Sequence, residues 1–310
     1  MEFRSVQAQI LMTLAAGSLR GLIESGELPL EDIPEFTMRE FDLRGLNMPA
    51  SLLTGRSIDD FDRLRDNADK AGCPVLILVE DQPLAMSADQ PEELSASRDR
   101  IQRLAVAANR LGCNSLAISC TAPRSDDAMF ESIVAGLKSA VGMIDDYDLN
   151  LLVAPSKGMT GDPDRLTDII KKVGGFRIGS YPGFTHAKGT ADPRDTMRKL
   201  APYAGGIEIT ARSKKGGEAT LDAYEAVESV LSVGYQNTIA LGFEGRGNPV
   251  VTLRAGRRLL AEALGQLDED DLEALLDSLE EGLDLGESPA ESDAPADSIP
   301  GGDEATDEDS

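Results

Sequence analysis

The chain has 310 residues, 41% of them hydrophobic, with 30 Lys and Arg set against 55 Asp and Glu for a formal net charge of −25. That is enough apolar material for a sizeable core, and the negative balance opposes nucleic-acid binding, which needs phosphates neutralised by Lys and Arg. No window approaches the roughly 18 uninterrupted apolar residues of a membrane-spanning helix, so no membrane association is expected.

Short apolar runs recur along the chain. They are QILMTLAA (9–16), LRGLNMP (43–49), CPVLILVE (73–80), CNSLAISC (113–120), LNLLVAP (149–155), FRIGSYP (176–182), GIEITA (206–211) and TIALGFE (238–244). Successive runs start about 26 to 40 residues apart, which suits one strand, one helix and two loops. The first run also has the makings of a signal-peptide core, but Glu2 and the single Arg4 make a poor leader, and a first strand is the better reading. Between the runs lie amphipathic stretches. SRDRIQRLAVAANRLG (97–112) places Ile101, Leu104, Ala105, Ala108 and Leu111 at helical spacing. DPDRLTDIIKKVGG (162–175) has Asp162 as cap, Pro163 as first helical residue and Gly174 past the end. DAYEAVESVLSVG (222–234) is a third. Alternating strands and helices predict a parallel sheet under helices. Eight units over residues 1–265 predict an α/β fold, a (β/α)8 TIM barrel. An open doubly wound sheet is the alternative, weakened by the lack of a G-x-G-x-x-G after the first strand.

Cys73, Cys113 and Cys120 form no CxxC pair and read as small buried hydrophobes of a cytoplasmic protein. The acidic charge is concentrated at the end of the chain. From Leu267 to Ser310 there are no Lys or Arg, while Asp and Glu are dense. Leu272, Leu275, Leu276, Leu279 and Leu283 give residues 266–286 the pattern of a short acidic amphipathic helix. Residues 287–310 have the composition of a disordered tail. The acidic segment as a whole confers solubility, and the leucine face of its helix could also dock on a protein partner.

From Leu149 to Leu260 the chain resembles the xylose isomerase-like TIM barrels, which include sugar isomerases, 3-epimerases, inosose dehydratases and endonuclease IV. LNLLVAPSKGMTGDPDRLTDIIKKVG matches the fifth strand and its helix, and FRIGSYPGFTHAKGTADPRDTMRKLAPYAGGIEI the sixth strand to the seventh. GYQNTIAL followed by GRGNP is the most specific piece. The resemblance implies a divalent metal held by Glu, Asp, His and Glu after strands five to eight. Those positions fall on Ala154, Ser180, Glu208 and Gly242. Ala and Gly carry no donor, Ser is a weak neutral ligand, and Glu208 alone cannot hold a catalytic ion. Slipping the eighth strand by two residues brings Glu244 to the rim, whereas slipping the fifth or sixth recovers no carboxylate. His186, the sole histidine, reads as an ordinary loop residue. No divalent metal and no other cofactor is therefore expected.

Barrel active sites lie at strand C-termini, where this chain offers Glu80, Arg124, Lys157, Arg212, Lys214, Lys215, Glu244 and Arg246. Glu208 and Glu244 would form an acid–base pair if they faced each other. Lys157, Arg212 and Arg246 would bind an anionic or sugar-like small molecule. Replacing bulky ligands by small residues opens space, which either a ligand or a loop side chain such as Tyr181 fills. Three functions follow: an isomerase/epimerase-like barrel without the usual metal, a non-catalytic interaction protein using barrel and tail, or a metal enzyme whose ligands lie elsewhere.

Overall fold

The computed structural model describes residues 10–89, 91–213, 219–221 and 223–267. They belong to one compact unit that ends at Leu267. The expected acidic helix and tail lie outside the described residues from Asp268 on.

All eight apolar runs form strands. They are β1 (Met12–Ala15), β2 (Leu46–Pro49), β3 (Val75–Val79), β5 (Ser115–Thr121), β6 (Asn150–Ala154), β7 (Ile178–Ser180), β8 (Gly206–Ser213) and β10 (Thr238–Glu244). Two short strands were not foreseen: β4 (Leu84–Ala85) beside β5, and β9 (Ala219–Leu221), antiparallel to β8. The eight long-range partners are all parallel, in the order β7-β6-β5-β3-β2-β1-β10-β8. The sheet closes between its ends. Gly205 N donates to Ser180 O at 3.1 Å and Glu208 N to Pro182 O at 3.0 Å. The result is a (β/α)8 TIM barrel.

The three amphipathic stretches are helical, although the one over 97–112 belongs to a helix that begins earlier, at Pro91. The helices are α1 (Arg20–Glu24), α2 (Ile33–Phe41), α3 (Ile58–Ala71), α4 (Pro91–Leu111), α5 (Asp127–Ile144), α6 (Pro163–Val173), α7 (Phe184–Ala187), α8 (Pro193–Leu200), α9 (Ala223–Leu231) and α10 (Pro249–Leu264). Helix α6 starts as its sequence indicates: Asp162 accepts from the backbone of Asp164 and Arg165, with Pro163 first inside and Gly174 at the end. A reciprocal Ser57–Asp60 box starts α3.

Strand alternation sorts side chains into two cores. Leu14, Leu46, Leu78, Leu116, Leu151, Ile207 and Leu241 pack outward against the helices. Ile77, Ala117, Leu152 and Tyr181 form a separate cluster inside the barrel. The three cysteines are free and buried, and burial pushes each thiol up to about 12. Cys73 Sγ donates to Leu43 O.

Candidate functional site at the barrel mouth

Parallel strands direct their C-terminal ends to one mouth, so inward side chains there meet. Tyr181 follows β7 and turns into the barrel, where its ring is buried. Its hydroxyl accepts from Asn47 Nδ2 at 2.9 Å and donates to Glu208 Oε2 at 3.3 Å. Asn47 reaches the axis from β2 and is 2% exposed, with its Oδ1 unpartnered. Glu208 reaches it from β8 and keeps partial access to solvent. Gly242 on β10 lets the Glu208 carboxylate fit, because a Cβ there would stand 3.0 Å from Oε1.

This environment sets the ionisation. Burial raises the Glu208 carboxyl above its ordinary value, and the Tyr181 hydrogen bond partly offsets the rise. Burial and then the Glu208 charge push the Tyr181 phenol well up, so it is a neutral donor. The axis therefore presents a carboxylate with raised proton affinity joined to a neutral hydroxyl.

The positions inferred for metal ligands separate. Ala154 borders the inner cluster and Gly242 adjoins Glu208, but neither has a donor atom. Ser180 corrects the expectation: its hydroxyl donates to Leu200 O at 3.0 Å on the helix side, and the inward place after β7 belongs to Tyr181. The register was one residue off, which in a strand turns the side chain to the other face. One carboxylate with a tyrosine and an amide does not fit a divalent metal centre. Among the described residues no group of three or more His, Cys, Asp and Glu could hold one.

The Glu208–Glu244 pair is also corrected. Glu208 is in register with Ala240, while Glu244 is in register with Arg212. The backbones of the two residues thus sit four positions apart along the strands, about 13 Å. Glu244 instead pairs with Arg212 at 2.9 Å on the rim. Arg246 is exposed in the loop after β10. Lys157 lines a cleft of about 470 Å³ with Pro83, Glu93, Cys120, Thr121 and Pro123, and neither Tyr181 nor Glu208 is among its lining residues. Glu80 is tied to Arg100 at 2.6 Å, and Arg124 to Asp89 and Asp126. His186 lies in the short helix α7 rather than in a loop, with its Nε2 3.2 Å from Gly161 O. Lys214 and Lys215 fall outside the described residues. Asn47 escaped the sequence reading, although a polar side chain inside the short apolar run LNMP was a usable signal.

No protein-family model and no curated relative matches the sequence. Solved structures do. A 3-keto-D-glucoside 4-epimerase from E. coli aligns with TM-score 0.65 and 14% identity, over 82% of this chain and 99% of that one. A probable 3-DHS dehydratase from Bacillus anthracis aligns with TM-score 0.65 and 13% identity, over the same 82% and 99%. A xylose isomerase domain protein from Planctomyces limnophilus aligns with TM-score 0.59 and 14% identity, over 76% and 91%. The structural neighbours thus include a sugar epimerase, a dehydratase and a xylose isomerase domain protein, and the chain shares their TIM-barrel fold.

Proposed function

We propose that this chain is an isomerase- or epimerase-type barrel that acts on a small polyhydroxy or anionic carbonyl compound without a divalent metal. The Tyr181–Glu208 contact at the axis carries this reading. The sugar epimerases and dehydratases among the structural neighbours support the reaction class.

Isomerisation or epimerisation next to a carbonyl needs a C–H proton removed and returned. A carboxylate with raised proton affinity suits the first task, because an effective base has a pKa close to the working pH. Glu208 takes the proton, and the electron pair moves onto the carbonyl oxygen as an enolate. Protonated Glu208 no longer needs the hydrogen bond from Tyr181. The neutral phenol is then free to donate to the enolate oxygen, where charge has developed. Glu208 then returns the proton to the neighbouring carbon of the enediol while the hydroxyl proton passes from that carbon's oxygen to the former carbonyl oxygen, which gives the 1,2-isomer. Delivery of a solvent proton to the opposite face of the original carbon would give the epimer instead, and loss of the proton from Glu208 restores the Tyr181–Glu208 bond. Arg246 at the rim supplies positive charge for an anionic substituent.

The test uses a panel of sugar phosphates, ketoses and sugar acids in D2O with EDTA. Proton NMR follows exchange of the C–H next to the carbonyl. The proposal expects exchange in at least one compound, lost in Glu208→Gln and reduced about a hundredfold or more in Tyr181→Phe. No exchange and no calorimetric binding across the panel would leave the interaction-protein reading in its place.

A further inference from the structure

The cleft that contains Lys157 has a construction of its own. Its floor is the end of β5, where the short strand β4 adds a parallel pairing of Leu84 with Cys120 and Ala85 with Thr121. Ala85 N donates to Ser97 Oγ at 2.9 Å, which fixes that edge to α4. The loop after β3 is held by Glu80, which accepts from Gln82 N and from Arg100. On the other side Ser156 Oγ donates to Cys120 O at 2.8 Å. Gly158, at φ 92°, packs so close to the β5 loop that a Cβ would stand 2.8 Å from Ala122 O. Lys157 is therefore held at its backbone between two anchored residues, while its side chain is exposed.

The lining chemistry is asymmetric. Pro83, Pro123 and Cys120 supply apolar wall. Lys157 is the one cation among the lining residues, and no ion pair engages it among the described residues. The nearby Arg124 is already taken by Asp89 at 2.6 Å and Asp126 at 2.8 Å. Thr121 has a hydroxyl oxygen that is buried without a partner, which a rotation about its Cα–Cβ bond can turn toward a ligand. Glu93 opposes a second negative charge in the same space. A volume of about 470 Å³ falls in the range of small-molecule sites.

We infer that this cleft binds a small monocarboxylate with an apolar body, its carboxylate taken by Lys157 and the Thr121 hydroxyl. One cation facing one carboxylate matches a single negative charge and disfavours a doubly charged phosphate. The apolar walls favour an aromatic or branched aliphatic body over a sugar. The site shares no lining residue with the Tyr181–Glu208 axis and stands whether or not the axial reaction does.

Phenylacetate, benzyl alcohol and inorganic phosphate are the probes, read by calorimetry and by saturation-transfer NMR on the full chain. Phenylacetate is expected to bind at about millimolar Kd or tighter, as its size allows. Lys157→Met should weaken it about tenfold or more, and Thr121→Val about fivefold. Glu93→Gln should strengthen it about two- to fivefold. Glu208→Gln and Tyr181→Phe should leave it unchanged, which separates this site from the axis. The Lys157 side chain is exposed, so a thermal melt of that variant matching wild type confirms that it is folded. The inference is overturned if phosphate or benzyl alcohol binds as well as phenylacetate, or if no saturation occurs below about 10 mM. It is equally overturned if Lys157→Met binds like wild type, or if binding responds to Glu208→Gln instead.

Discussion

Tyr181 and Glu208 stand 27 residues apart in sequence and meet through a 3.3 Å hydrogen bond inside the barrel. The same stretch closes the barrel, since Glu208 N donates to Pro182 O next to Tyr181. Closure of the sheet and placement of the tyrosine are thus one structural event.

The first prediction concerns pH. Folding raises the Glu208 carboxyl above the ordinary 4.5, so between that value and the folded one the native state binds more protons than the unfolded chain. Stability from this group is full below the ordinary value and is lost as pH rises through the folded one. Glu208→Gln removes that loss. Its melting temperature should exceed that of wild type at neutral pH, and the gap should shrink to nothing on acidification. A pH-independent difference would contradict the burial argument.

Tyr181 can be dissected by two substitutions. Tyr181→Phe leaves Asn47 Nδ2 and Glu208 Oε2 without this partner and should cost about 1–3 kcal/mol. Because the lost bond lowered the Glu208 pKa, the pH window of the preceding paragraph should move upward in this variant. Tyr181→Ala also empties the space against Ile77, Ala117 and Leu152 and should cost about 3–5 kcal/mol. Urea denaturation gives both values.

Helix α5 carries two glycines with opposite expectations. A Cβ at Gly136 would lie 2.1 Å from the Met86 carbonyl oxygen, a backbone atom that cannot swing away. Gly136→Ala should destabilise by about 2–3 kcal/mol. A Cβ at Gly142 meets nothing within 4 Å. Gly142→Ala should stabilise by about 0.5–1 kcal/mol, because alanine loses less entropy in a helix. Paired thermal melts check the contrast.

Metal binding is tested directly. Ala154 and Gly242 offer no donor and Ser180 is turned to Leu200. Elemental analysis should find no stoichiometric Zn, Mn, Co or Mg, and EDTA should leave the melting temperature unchanged. One ion per chain would show that ligands come from outside the set named here.

The eight strands were legible because each is a compact apolar run between turn residues, and the helices because caps and periodicity agree. The inner face of β7 was not. Ile178–Ser180 spans three residues, all buried, so no alternation of polar and apolar residues marks which side faces the axis. The resemblance puts the ligand position on Ser180, and nothing in the strand itself marks Tyr181 as the inward residue instead. Tyr181 itself was foreseen as a space filler, but its bonds to Asn47 and Glu208 depend on contacts across the barrel. Strand β4 carries only two residues and no pattern of its own, so the cleft beside it was invisible in sequence.

The buried cysteines have an experimental use. Cys73 precedes β3, Cys113 precedes β5 and Cys120 lies within β5. Each thiol is shielded and, at about 12, almost entirely protonated at neutral pH. An alkylating reagent can reach them only when that part of the wall opens. Peptide-resolved labelling over time would then time two adjacent staves of the barrel separately. It would show whether β3 and β5, joined through Ile77 and Ser115, come apart together or one before the other.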